Sequence, residues 1–384
     1  MTQATALLGR NKNFTLAVLC LGAAALLPLF FDPLSNVTDN FITAGAYVVM
    51  ALGLNIVVGF AGLLDLGYVA FYALGSYTVG WFASDHFAAI NGGKGIHIAS
   101  GPLANGAGIH LNFLLILVVA VIIVGIAGML IGLPTLRLRG DYIAIVTLAF
   151  GEIVYRFAVN GDSVTFAEGY KLTNGRQAIS PIDSIDLPGL APFDFAFNLR
   201  PYFWFVLGLV ALSLLVNFRL RDSRLGRAWI AIREDEVAAA SMGVPLVRTK
   251  LLAYATGAAF GGMAGAFLGS YFSAVQADQF KFGFSIFLLA MIILGGLGSI
   301  WGVVFGAILL SFINTYFIPD VFNSVPHKLG LDFDLTILNF GIFGFLILIV
   351  MVLRPQGLFP ERRRALELTE GIGAGDSTFE VKQP

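Results

Sequence analysis

Ten apolar runs follow one another along this chain, most of them near the length that crosses a bilayer. They are Phe14–Phe31, Phe41–Val58, Leu66–Ala83, Leu111–Leu133 and Tyr142–Val159, then Tyr202–Phe218, Lys250–Phe272, Phe284–Leu294, Ile300–Phe317 and Leu335–Leu353. A helix needs about 20 apolar residues to span hydrocarbon. The pattern therefore predicts an all-α polytopic membrane protein of about eight to ten transmembrane helices, with glycine-interrupted segments. Polar residues are too few for any other surface: 12% of the 384 residues are charged, against roughly 25% in soluble domains. This excludes an ordinary soluble enzyme and a disordered chain. A net charge of −1 gives no global field for nucleic acid. The single cysteine, Cys20, excludes an internal disulfide framework and a cysteine zinc site.

The first run resembles a secretory signal in its flanking charges, but many spans follow, so it reads as an uncleaved first helix. With the N-terminus inside and strict alternation, 16 of the 23 Lys and Arg residues fall on the inner side, six fall outside, and Arg156 lies within a span. That asymmetry fixes the expected orientation, with both termini cytoplasmic. The membrane domain is expected over residues 1–364, followed by a disordered cytoplasmic tail at 365–384. The acidic outer loop Asn160–Pro201 is rich in turn residues and reads as turns with one short helix.

Two glycine-rich breaks interrupt apolar runs without a polar loop of ordinary length. One carries Gly59, Gly62, Asp65 and Gly67, and the other Gly295, Gly296 and Gly298. Unwound backbone at membrane depth requires protein or a water-filled cavity around it. Paired breaks in corresponding halves suggest a translocation path, with tight cytoplasmic turns as the alternative. Asp65 is placed to cap a half-helix.

The stretch 219–249 is expected to carry a charged cytoplasmic helix over Ser223–Met242. Asp222 or Ser223 caps its start, and Gly243 with Pro245 ends it. Leu225, Trp229 and Ile232 share one face by helical period. Arg224, Arg227, Trp229, Ile232, Glu236, Ala238, Ala239 and Gly243 are the residues expected to serve a docked partner. Glu152 and Arg156 stand i, i+4 in the fifth run with the acid first, the favourable order for a pair. They read as a mutually neutralising pair that packs helices, with a functional role as the alternative. No phosphate-binding loop is present, since Gly92-Gly-Lys94-Gly lacks its spacing. His86, His97, His110 and His327 lack metal-ligand spacing, and no catalytic, cofactor or metal residue is expected. An ion-coupled transporter or a passive channel remains the rival class.

Five stretches carry a family resemblance: Gly62–Tyr77, Leu133–Glu152, Asp222–Trp229 with Ile232–Glu236, Ile293–Ser299 and Leu353–Pro360. Together they resemble the LivM family, the membrane permeases of high-affinity branched-chain amino acid ABC importers. The resemblance implies a homologous permease partner, two cytoplasmic ATPase subunits that bind the ATP, and a periplasmic binding protein. It also implies a bacterial inner-membrane location. The 219–249 stretch resembles the coupling motif E-A-A-x-x-x-G: Ala238, Ala239 and Gly243 fall in place, while Val237 takes the Glu position and Glu236 lies one residue early. Where relatives carry a T-G-G-x-N-G-like segment, this chain has Thr173-Asn174-Gly175. The substrate implied is a branched-chain amino acid, with urea, short amides or another small solute as alternatives.

Overall fold

The computed structural model describes residues 17, 19–88, 95–98, 107–135, 138, 141–166, 170–187, 192–193, 198–322, 339–354 and 356–359. Ten apolar helices match the ten runs in order. They are α1 (Leu19–Phe30), α2 (Asn36–Leu54, continuing as a π-helix over Asn55–Phe60), α3 (Val69–Phe82), α4 (Phe113–Thr135) and α5 (Asp141–Asn160). After α6 (Arg200–Asp222) come two short polar helices, α7 (Arg224–Glu234) and α8 (Glu236–Ser241). The apolar series resumes with α9 (Leu246–Tyr271), α10 (Phe282–Gly295), α11 (Ile300–Phe312, continuing as a π-helix over Ile313–Phe322) and α12 (Asn339–Leu353). Among the described residues, six helical spans are long and apolar enough to cross a membrane.

Polar caps and prolines set the helix ends. Ser35 caps α2 by accepting from Thr38 N, Pro201 sits in the first turn of α6, and Ser299 caps α11 by accepting from Gly302 N at 3.1 Å. The centre is α2 packed on α9, the two most buried spans. Close packing follows from small residues, because lipid-solvated helices associate through backbone approach rather than apolar burial. A Cβ on Gly265 of α9 would overlap the Tyr72 carbonyl of α3, and one on Gly257 would sit 2.9 Å from the Gly53 carbonyl of α2.

Loop contacts sort the connections into two ends. At one, β1 (Ala83–Ser84) pairs antiparallel with β3 (Ile109–Leu111), which pairs parallel with β2 (Ile96–Ile98). The post-α5 loop joins this sheet through Asp183 N to Ala83 O at 2.8 Å, and the post-α9 loop joins through Ile179 N to Val275 O at 3.0 Å. At the other end lie the α6–α9 loop, both glycine breaks and residues 354–359. This grouping is the alternation expected from the arginine positions. Two expectations change. The 160–201 loop forms a hairpin of β4 (Thr165–Phe166) and β5 (Tyr170–Lys171), not a short helix, among its described residues. The third run, of 18 residues, gives a helix of only 14, and the eighth, of 11, lengthens to 14. The expected tail at 365–384 and His327 lie outside the described residues.

Helices of 14 residues rise about 21 Å, short of the roughly 30 Å hydrocarbon core. Both α3 and α10 are therefore completed by non-helical backbone. The irregular segment 61–68 leads into α3 from the arginine-rich end, and the 3-10 turn Ala277–Phe280 leads into α10 from the sheet end. The two helices are joined where Val69 N donates to Ser285 Oγ at 3.1 Å, and Tyr72 Oη of α3 donates to Gln279 Oε1 of the 3-10 turn at 3.2 Å.

Candidate coupling and translocation site

The loop after α6 folds as two helices with a corner, not one continuous helix. Ser223 Oγ accepts from Gly226 N at 3.1 Å and starts α7. Asp235 then ends α7 and caps α8, its Oδ1 accepting from Val237 N at 2.8 Å and Ala238 N at 3.0 Å. Two signals for the corner stand in the sequence: an aspartate inside the charged run, with Glu236 in the turn it opens. Gly243, at φ +85°, closes α8 with its own N–H on Ala240 O and Val244 N on Ala239 O, a Schellman pattern.

Burial corrects the expected docking face. Trp229 is completely buried and donates from Nε1 to Thr249 O at 2.8 Å; Ile232 and Ala239 are also buried. These three anchor the loop to its own chain and offer nothing to a partner. Glu236 is likewise engaged within the chain, accepting from the buried Lys250 Nζ at 2.7 Å. Arg224, Arg227 and Ala238 are exposed. The exposed apolar positions are Val237, Met242 at 86% and Val247, beside a groove of about 460 Å³ lined by Pro245, Leu246, Val247, Arg248 and Leu251. Period counting found the buried face of α7 correctly; its outward face had no comparable signal.

The loop rests on the first glycine break. Arg233 Nη1 donates to Gly59 O at 2.6 Å. Gly62, at φ +69°, lies under the Arg233 side chain, where a Cβ would sit 2.5 Å from Cγ. Beyond it, Asp65 is buried and accepts from Gly67 N at 2.8 Å, which shapes the turn before α3. The helix's own first N–H, from Val69, goes to Ser285 instead, so Asp65 holds the turn and not the helix end. The break then meets α5: Leu66 N donates to Thr147 Oγ1 at 3.0 Å, and a Cβ on Gly67 would overlap the Thr147 carbonyl.

The second break touches the first. Gly298 N donates to Asn55 Oδ1 at 3.0 Å. Gly295 closes the α10–α11 hairpin against the Gly302 backbone, and Gly296, at φ +116°, ends α10. The last carbonyls of α10 are satisfied by the segment after α12: Leu358 N donates to Leu294 O at 2.8 Å and Phe359 N to Gly295 O at 3.0 Å. Of the seven residues expected along a path, Gly59, Asp65, Gly67, Gly295, Gly296 and Gly298 are buried joints within the chain, and Gly62 is exposed. Sequence reading did not single out Asn55, Thr147 or Arg233 as site residues. All three act through backbone partners distant in sequence, which leave no local pattern.

Glu152 and Arg156 do pair, Arg156 Nε donating to Glu152 Oε1 at 2.6 Å. They stand on the exposed face of α5 and pack no second helix among the described residues, contrary to the packing role expected of them. At the sheet end, buried His110 lies between Asp183 (Nδ1 to Oδ2, 2.6 Å) and Asp85 (Nε2 to Oδ1, 3.2 Å), with His97 stacked on its ring. Burial alone would lower the His110 pKa; the hydrogen bond and charge of Asp183, aided by Ala107 O and Asp85, outweigh it and raise the pKa. Burial raises Asp183 as well.

The family described as branched-chain amino acid transport system / permease component matches residues 36–353. The high-affinity branched-chain amino acid transport system permease protein LivM of Escherichia coli (strain K12) is 37% identical over 96% of this chain and 79% of its own length. The chain belongs to this permease family. LivM of Salmonella typhimurium is 36% identical over 96% of the chain and 79% of its length. A second permease of the Escherichia coli system, LivH, is 26% identical over 78% of the chain and 90% of its length. No solved structure matches. The chain is a multi-pass membrane permease with an ABC-importer role. The stretches that carry the family resemblance meet here: Leu66 bonds to Thr147, Phe359 bonds to Gly295, and Gly62 lies under Arg233.

Proposed function

We propose that this chain is one of two homologous permease subunits in an importer of branched-chain amino acids. Two cytoplasmic ATPase subunits power it, and a periplasmic binding protein supplies the substrate. The chain itself performs no catalysis and holds no cofactor or metal. The arginine-rich end faces the cytoplasm in this reading, because Lys and Arg concentrate there. The similarity to both LivM and LivH supports a pair of related permeases.

One observation carries the reading. An exposed apolar corner, Val237 and Met242, sits on a loop whose inner side is bonded to the π-helical end of α2. A partner that moves the corner moves Arg233, and Arg233 holds Gly59. Residues 365–384 play no part in this reading.

The test is uptake in cells lacking their own branched-chain importer, complemented with this chain and its partner subunits. Labelled leucine, isoleucine and valine should accumulate, and urea and acetamide should not. Accumulation of urea or acetamide in place of the amino acids would overturn the substrate assignment.

A further inference from the structure

Spans α4 and α5 are equally little buried, 28% of each, yet only α5 carries a charged pair on its exposed side. The exposed face of α4 is aliphatic throughout, carrying Val118, Ile122, Ile126 and Leu130. The exposed face of α5 sets Tyr142, Ile145, Ile153 and Phe157 beside a stripe of Ala149, half-buried Glu152, Arg156 and Asn160, spaced three to four residues apart. Asn160 ends α5, and Glu152 lies eight residues before it, about 12 Å deeper at 1.5 Å per residue. Arg156 is one turn from the end and can extend its head group to the interface. Glu152 is two turns down on a shorter side chain and cannot. A charged pair on a lipid-facing surface at that depth is strongly disfavoured, and ionisable groups inside a membrane face a protein interior or a water-filled cavity.

The stripe does not stop at the helix end. It opens into a polar cavity of about 480 Å³ lined by Arg156, Asn160, Asp162, Lys171 and Arg176 among others. Three cationic side chains line it against one carboxylate. The turn that shapes its far side is the Thr173–Gly175 segment: Thr173 Oγ1 donates to Ala158 O at 2.9 Å, and Gly175 at φ +63° lies against the Asp162 carboxylate. Behind the stripe, the buried face of α5 rests on the first glycine break through Thr147 and Gly151.

We infer that the stripe of Ala149, Glu152, Arg156 and Asn160 on α5 is the water-lined wall of the translocation path. The cationic cavity at its outer end is the vestibule that receives the carboxylate of a zwitterionic solute. The cations draw the carboxylate, and Asp162 and Glu152 supply acceptors for the ammonium group. The glycine breaks then stand behind the wall rather than in it. The amino-acid part of this inference rests on the function proposed above; the water-lined wall does not.

The experiment uses the fully assembled transporter in right-side-out membrane vesicles, with Cys20→Ser removing the single native thiol. Ala149→Cys tests the wall without touching the Glu152–Arg156 pair, and Ile122→Cys on α4 is the lipid-facing comparison. The probe is a charged, membrane-impermeant methanethiosulfonate. The thiol at 149 should react at least tenfold faster than that at 122, and the reaction should cut leucine uptake at least tenfold. Equal or slower reaction at 149, in vesicles that take up leucine, overturns the wall and leaves the proposed function standing. Fast reaction at 149 in vesicles that transport a different solute supports the wall and overturns the amino-acid vestibule.

Discussion

Arg233 and Gly59 are 174 residues apart, and the Arg233 guanidinium donates to the Gly59 carbonyl at 2.6 Å. Gly59 lies in the π-helical turn that ends α2, where carbonyls lack helical partners. A hydrogen bond from a charged donor contributes roughly 1.5–3 kcal/mol, about twice a neutral one. Arg233→Ala should leave co-purification with the ATPase subunits intact and lower leucine uptake about tenfold, the rate equivalent of about 1.4 kcal/mol. Wild-type uptake by Arg233→Ala would show that the joint carries no motion.

Gly67 meets α5 backbone to backbone, so any Cβ there displaces Thr147. Overpacking of this kind costs typically 1–3 kcal/mol. Gly67→Ala should lower the thermal unfolding midpoint in detergent by several degrees. Gly22→Ala, at a site with nothing within 4 Å, should leave it unchanged. Equal midpoints for the two variants would contradict the close approach.

The docking surface predicted from burial is Val237 and Met242. Met242→Arg adds charge to a side chain already 86% exposed, so insertion and folding should be normal while ATPase co-purification falls at least fivefold. Trp229→Ala is a different experiment: emptying a fully buried site costs about 3–5 kcal/mol, and the loss should appear as reduced membrane abundance. Undiminished co-purification with Met242→Arg would place the partner elsewhere.

The His110 cluster sets a pH dependence at the sheet end. The folded-state pKa of His110 is raised, so its stabilisation is full below the unfolded value of about 6.5 and is lost as pH rises through the folded value. Asp183, also raised, acts in the same direction from a lower starting pH. Amide exchange in β1 and β3 should therefore accelerate as pH rises above about 6.5, beyond the intrinsic base-catalysed rate. His110→Asn should remove that excess. An excess that persists in the variant would assign it to another group.

Much of this was legible in the chain before folding. Apolar runs placed the ten apolar helices, six of them long enough among the described residues to cross a membrane, because helix length and bilayer thickness are fixed, and arginine counts gave the alternation that the loop contacts reproduce. The helical period of Leu225, Trp229 and Ile232 marked a buried face. What it could not say is which protein buries that face, and the answer is this chain, through Thr249 O. The role of Glu152 and Arg156 was illegible for a related reason. Sequence gives their spacing, but not that the α5 face carrying them is left uncovered. The joints Asn55–Gly298 and Leu66–Thr147 use backbone groups 243 and 81 residues away from their side-chain partners, and backbone groups have no sequence signature.

The most direct test of the central claim is the energy source of leucine accumulation. Proteoliposomes would contain this chain with its partner permease, ATPase subunits and binding protein, and ATP or an ion gradient would be supplied separately. The account predicts accumulation against a gradient only with ATP and the binding protein present, and none when this chain is omitted. Accumulation driven by a proton or sodium gradient without ATP would contradict it.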